Sequence, residues 1–242
     1  MAVFVLVHGG SHGAWCWEAC ADQLRLFGHE AVPFDLPGHG DDRTPRGQVT
    51  LDRYAERINE VLSRCGSKSP VLVGHSLAGV GIARALELRP RTLEHLVLVA
   101  ALVLEPGERA IDRIPNDRRP VYHELAEASP DSSFSLSEEI TRRVFFNDLS
   151  DEVAARNQAR LTPQPLAVYL KETTLALSSL TCPKHYLACQ RDQALGFENN
   201  LLYAERLGGS LSLIDAGHDV MLSEPVQLAA YLIQQCRNAE AL

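Results

Sequence analysis

Gly74-His75-Ser76-Leu77-Ala78-Gly79 stands between an apolar run and a helix-length stretch, and its residue types suit nucleophilic chemistry. A serine on a sharp strand-to-helix turn takes a strained backbone, usually with φ > 0, and small neighbours relieve the crowding. Gly74 lies two positions before Ser76, and Ala78 and Gly79 lie two and three after it. Such a turn lifts the hydroxyl above the sheet and sets a helix N-terminus beneath it. The Leu77 amide can then face a developing oxyanion. The stricter form of the pattern has glycine where this chain has Ala78, a departure that Gly79 can ease.

A serine hydroxyl is a poor nucleophile until a base takes its proton, and nine histidines compete for that role. His95 abuts a predicted strand and His185 begins one, so both read as structural. His29 precedes a strand, His123 falls in the middle of the chain, and His39 sits in the turn Pro37-Gly38-His39-Gly40. His75 adjoins Ser76, and neighbouring side chains on such a turn diverge. His218, in Asp215-Ala216-Gly217-His218-Asp219, directly follows the last apolar run, at the end of a parallel sheet where ligands bind. It is the expected base. An acid must hold its tautomer, and Asp192 in Gln190-Arg191-Asp192-Gln193 again follows an apolar run. Asp215 and Asp219 are rivals, better suited to orienting the His218 loop.

A second amide donor is expected from His8-Gly9-Gly10-Ser11-His12-Gly13, whose small residues let backbone approach a ligand closely. Gly10 is the predicted partner of Leu77 in an oxyanion hole. The loop could also cradle a phosphate, but it lacks the lysine of G-x-x-x-x-G-K-[ST], and no G-x-G-x-x-G opens a helix. Ser11, His12 and Trp15 lie close enough in sequence to reach substrate.

The elements that must carry these residues alternate. Apolar runs at Val3 to Val7, Ala31 to Phe34, Pro70 to Val73, Leu96 to Ala100, Lys184 to Cys189 and Leu211 to Ile214 read as strands. Helices are expected near Trp15 to Phe27, Leu51 to Arg64, Leu77 to Leu88, Phe197 to Leu207 and after Pro225. The fold class is α/β, a six-stranded, largely parallel, doubly wound sheet. Residues 104–180 show no convincing strand and read as a helical cap inserted after the fourth strand. The core is therefore 1–103 plus 181–242. Phe134, Phe145, Phe146, Leu161, Leu166 and Tyr169 are the cap's candidate pocket walls, with Phe145 and Tyr169 singled out.

The chain has 242 residues, 45% of them hydrophobic and 22% charged, which excludes a fully disordered chain and suits one α/β domain with an appendage. Its formal charge of −8 argues against nucleic acid and anionic membranes as partners. Six cysteines without a CxxC, and no close Cys/His pair beside Cys16 and Cys20, read as free thiols; no metal and no cofactor is expected. The first apolar run lacks a basic flank and a cleavage site, and no run approaches the length of a membrane span. A cytoplasmic protein is the expectation, and a homodimer is compatible with the sequence.

These residues resemble the α/β-hydrolase superfamily, and within it the small plant-type methylesterase and hydroxynitrile lyase family with its bacterial relatives. The resemblance lies in Phe4 to Trp15, Asp35 to Gly40, Gly74 to Gly79 and Gly217 to Pro225, and the H-G-x-x-H-G-A-W block is specific to this branch. It implies the triad order Ser76, Asp192, His218, a cap over the pocket and no cofactor. The lyases of that family place Thr at position 9 and Lys at position 219, where this chain has Gly9 and Asp219. A carboxylate beside a departing anion has the wrong sign, so the resemblance favours a serine carboxylesterase for a small, largely apolar ester, a methyl ester among the candidates. A lyase-type reaction on the same triad, and a ligand-binding or signalling module with little turnover, are the alternatives.

Overall fold

In a computed structural model, which describes residues 1–66 and 69–238, six strands form one sheet in which every pairing is parallel. Its strands are β1 (Val3–Val7), β2 (Glu30–Phe34), β3 (Val71–His75), β4 (His95–Val99), β7 (Lys184–Cys189) and β8 (Ser210–Ile214), in the order β2-β1-β3-β4-β7-β8. β1, β3 and β4 are buried along their whole length, which their near-continuous Val and Leu content requires. β8 closes one edge, with Leu211 and Leu213 about half exposed.

Helices cover both faces. On one lie α2 (Leu51–Arg64), α3 (Ala78–Leu88) and α8 (Phe197–Leu207), and on the other α1 (Glu18–Leu26), α9 (Val220–Ser223) and α10 (Pro225–Asn238). The stripe Leu51, Tyr54, Ile58, Val61 and Leu62 buries one side of α2, and the Thr50 side chain caps it by accepting the Arg53 amide. The helix expected near Trp15 to Phe27 begins instead as a 3-10 turn at Ala14–Trp17 and only then becomes α1.

Between β4 and β7 run α4 (Arg119–Glu127), α5 (Glu138–Val144), α6 (Asp151–Gln158) and α7 (Ala167–Leu170). This stretch also holds a two-stranded antiparallel pair, β5 (Ser133–Phe134) with β6 (Gln164–Pro165), where the sequence showed no strand. Two residues per strand, one of them a proline, leave no alternation to read. Among the described residues, no helix is long and apolar enough to cross a membrane.

Candidate active site

The strand order reverses at β1 and β3, and a parallel α/β sheet opens a crevice at such a reversal. Val7 pairs with Gly74, so the loops leaving β1 and β3 emerge side by side. At the second of them Ser76 has φ +53°. Its amide donates to Val99 O at 3.3 Å, and its carbonyl accepts the Leu102 amide at 3.0 Å, so the strained turn is held by the neighbouring segment. A Cβ on Gly74 would stand 2.4 Å from Ile82 Cδ1, and one on Gly79 would stand 2.0 Å from Leu102 O. Ala78 Cβ, by contrast, would meet a Gly74 Cβ at an ordinary 3.5 Å. The steric demand falls on positions 74 and 79, and alanine fits at 78.

The loops after β7 and β8 bring Asp192 and His218 to this turn. His218 Nε2 lies 3.0 Å from Ser76 Oγ, and His218 Nδ1 lies 2.9 Å from Asp192 Oδ2. Asp192 is buried and fully satisfied: Oδ2 also accepts from Asn200 Nδ2 at 2.9 Å, and Oδ1 accepts the Ala194 and Leu195 amides at 2.7 and 3.0 Å. Burial works against its ionisation, but the His218 imidazole and these donors prevail and bring the carboxyl down to about 2. Burial likewise works against a charged His218, yet the Asp192 carboxylate outweighs it and raises the imidazole above its ordinary value. Of the rival acids, Asp215 pairs with Arg191 at the surface, and Asp219 is buried with Oδ2 2.9 Å from His12 Nε2.

Gly10 and Leu77 both line the cavity above Ser76, and among the described residues neither amide has a protein acceptor. The loop carrying Gly10 is pinned elsewhere. His8 Nδ1 donates to Gly9 O at 2.7 Å while its Nε2 accepts the Leu36 amide at 3.0 Å. The Gly10–Ser11 peptide is gripped at both ends: its carbonyl lies 2.7 Å from His12 Nδ1, and its N–H donates to Gln164 Oε1 at 3.0 Å. A Cβ on Gly9 would lie 2.8 Å from Ser76 Cβ and 2.9 Å from His75 Nδ1, so the loop abuts Ser76.

The cavity encloses about 150 Å³. Of the residues expected to touch substrate, Ser11, Phe145 and Tyr169 line it, and Phe145 stacks over His218 with ring centroids 5.8 Å apart. His12 and Trp15 do not line it. Each is buried; His12 turns toward Asp219, and Trp15 packs between the His12 ring and Arg160. Phe134 forms part of the wall, whereas Phe146 and Leu166 pack into separate small clusters and Leu161 packs against that of Phe146.

Several residues that hold the site carried no signal in the sequence. Gln164 on β6 fixes the Ser11 amide, Asn200 on α8 fixes Asp192, and Asp148 accepts the Gly217 amide at 2.6 Å. Asn147 donates to Arg191 O at 2.9 Å, beside Asp192. His75, His218 and Asp219 approach closely enough to share a metal ion. Both His218 nitrogens are engaged by Asp192 and Ser76, and His75 Nε2 donates to His218 O at 3.1 Å. Of the three side chains, that leaves only His75 Nδ1 and Asp219 Oδ1 without a hydrogen-bond partner among the described residues.

Known proteins share this arrangement of elements. Methylesterase 7 of Arabidopsis thaliana is 28% identical over 248 residues, which is 96% of this chain and 95% of its own. An extracellular alpha/beta-hydrolase from a Paenibacillus species has the same fold, with a TM-score of 0.88 at 24% identity over 98% of this chain and 99% of the other. A methylesterase from Arabidopsis matches with a TM-score of 0.81 at 24% identity, over 97% and 98% of the two chains. The alpha/beta hydrolase family model matches residues 4–231, nearly the whole chain, and the protein belongs to that family.

Proposed function

We propose that the protein is a serine carboxylesterase that hydrolyses a small, largely apolar ester, with methyl esters the first class to test. The observation that carries this reading is the continuous contact from Ser76 Oγ through His218 to Asp192 at the floor of the cavity. Ser76 Oγ attacks the ester carbonyl as His218 Nε2 takes its proton, and Asp192 keeps Nδ1–H in place and stabilises the imidazolium. The free amides of Gly10 and Leu77 receive the oxyanion. His218 returns the proton to the leaving alcohol, and a water activated by the same imidazole cleaves the acyl-enzyme. Residues 104–180 act as the cap: Phe134, Phe145 and Tyr169 form an apolar wall for the substrate.

The names of the relatives support ester hydrolysis, among them Methylesterase 7 and methyl jasmonate esterase 1 of Vitis vinifera. A lyase reaction on the same triad has less support. The residue after His218 is a buried carboxylate tied to His12, and at its present backbone position Gly9 has no room for a larger side chain against Ser76. The cavity wall also includes Arg113 and Arg118 but no Asp or Glu. Esters with a neutral or carboxylate far end are therefore expected to react, and those with a quaternary ammonium far end to react poorly.

A panel of methyl esters differing in the charge of the far end, run on wild type and Ser76→Ala, tests this function. Ser76→Ala is expected to lose about 10⁴-fold or more in kcat/KM. Retention of most ester hydrolysis by Ser76→Ala refutes the mechanism. Cyanide release from mandelonitrile without ester cleavage indicates a lyase, and tight stoichiometric binding with negligible turnover indicates a binding module.

A further inference from the structure

His12 and Asp219 are buried ionisable side chains that the acyl-transfer scheme leaves without a part. His12 Nδ1 lies 2.7 Å from Gly10 O, and His12 Nε2 lies 2.9 Å from Asp219 Oδ2. A carbonyl oxygen and an ionised carboxylate are acceptors only. A neutral imidazole has a single N–H, so it would set a lone pair against an oxygen at one of these two contacts. His8 shows the contrast, since it donates to Gly9 O and accepts from Leu36 N, which a neutral ring can do.

The groups around the pair leave Asp219 as the charge to be matched. Burial works against its ionisation, but the His12 imidazole in front of it, with His75 and His218 nearby, holds the carboxyl below the usual carboxylate range. His75 Nε2 is 3.7 Å from Asp219 Oδ1, and burial, reinforced by His218, brings His75 down to about 3, so it stays neutral. Burial pushes the Cys16 thiol up, with Asp219 adding to the effect, so that side too carries no charge. Burial lowers His8 to about 4 and takes His39 well below its ordinary value. The rings of Trp15 and Phe145 pack on His12, each with its centroid 5.3 Å away, and Arg160 lies over the far side of Trp15.

We infer that His12 carries a proton on both ring nitrogens and, paired with Asp219, is a positioning residue that sets the oxyanion arm. The inference rests on the proposed use of the Gly10 amide. Its second N–H grips the Gly10 carbonyl while Gln164 grips the Ser11 amide, which fixes the peptide following Gly10 and the left-handed Ser11 (φ +64°). The Gly10 N–H itself belongs to the preceding peptide, whose Gly9 carbonyl His8 Nδ1 holds at 2.7 Å. His12 fixes the Gly10 Cα from its other side, and release of that hold would let Gly10 shift and carry its N–H off the line to the reacting carbonyl.

The test begins with nitrogen-15 NMR of the histidine rings in the full wild-type chain, with His12→Gln identifying the His12 signals. Two protonated ring nitrogens on His12 at pH 7.5 are expected, and one protonated nitrogen overturns the inference. Asp219→Asn keeps the shape and an acceptor oxygen but removes the charge. It is expected to lower kcat about 10- to 100-fold, with KM changed less than about threefold, because the oxyanion contact is made only in the transition state. Binding of an aryl trifluoromethyl ketone, which adds to Ser76, should weaken by a similar factor. Unchanged kcat, or a rise in KM alone, overturns the positioning role. Should Asp219→Asn fail to fold, His12→Gln, whose amide can serve only one of the two acceptors, faces the same criteria. If wild type cleaves no ester, the proposed function fails, while the histidine spectrum still decides the charge on His12.

Discussion

At the scale of single residues, the site is governed by opposed effects of burial and charge. Burial favours a neutral His218, and Asp192 more than offsets it. In the proposed mechanism His218 acts as base through its neutral ring, so kcat/KM is expected to fall as pH drops through a value above the ordinary 6.5 of histidine. Asp192→Asn removes the raising charge and leaves the burial. The acid limb should then move to lower pH while the rate falls by about 10⁴-fold. A pH profile of both enzymes with one ester checks this, and an unmoved limb would assign it to another group. Ser76, His218 and Asp192 were legible in the sequence because each follows an apolar run and ends in chemistry-bearing types. Nearness along the chain places His12 beside the substrate, but its ring does not line the cavity. Its ring is turned instead toward a partner 207 positions away, a relation with no local trace.

At the scale of elements, β1 and β3 place the Gly10 loop and Ser76 side by side by register, and the α3 turn fits because of where glycine stands. Gly79→Ala drives a methyl into the Leu102 carbonyl, whose own amide donates to Ser76 O. The variant should lose about 1–3 kcal/mol of stability and a large part of its activity. Ala78→Gly, on the same turn, should cost no more than about 1 kcal/mol and keep its activity. Urea unfolding of the two variants beside wild type measures the difference; equal losses would contradict the steric account. The sheet was readable because its strands are short apolar runs bounded by turn residues. The β5–β6 pair was not, nor was the part played by Gln164, since a polar residue in an irregular stretch gives no sign of what it will meet after folding.

For the whole molecule, the buried neutral histidines set the response to acid. His8 and His75 are lowered by burial to about 4 and about 3, against an ordinary 6.5. As pH falls below 6.5 the unfolded chain takes up these protons while the folded one does not, so stability declines by up to about 1.4 kcal/mol per pH unit for each group. Asp192 works in a lower window: its contribution is present above the usual carboxylate value and is lost as pH falls toward about 2. His218, raised in the folded state, contributes below its ordinary value and loses that contribution as pH rises through the raised one. Denaturant melts at pH 7, 5.5 and 4.5 should therefore show a steady loss that begins well above the carboxylate range. Constant stability from pH 7 to 5 would show that these rings are not neutral and buried.

The hydrogen bonds that the stretch between β4 and β7 sends to the sheet bear on how such a chain can change its substrate. Gln164 and Thr162 hold Ser11, Asp148 holds Gly217, and Asn147 holds Arg191. That stretch therefore reaches all three loops that carry Gly10, His218 and Asp192. Exchanging it wholesale for the corresponding stretch of a relative would remove those four anchors together with the pocket wall. New specificity is reached more directly by point changes at wall residues such as Phe134, Ile140 and Val144, which line the cavity and whose side chains form no hydrogen bond to the three loops. A designed chimaera would have to carry Asn147, Asp148, Thr162 and Gln164 across unchanged.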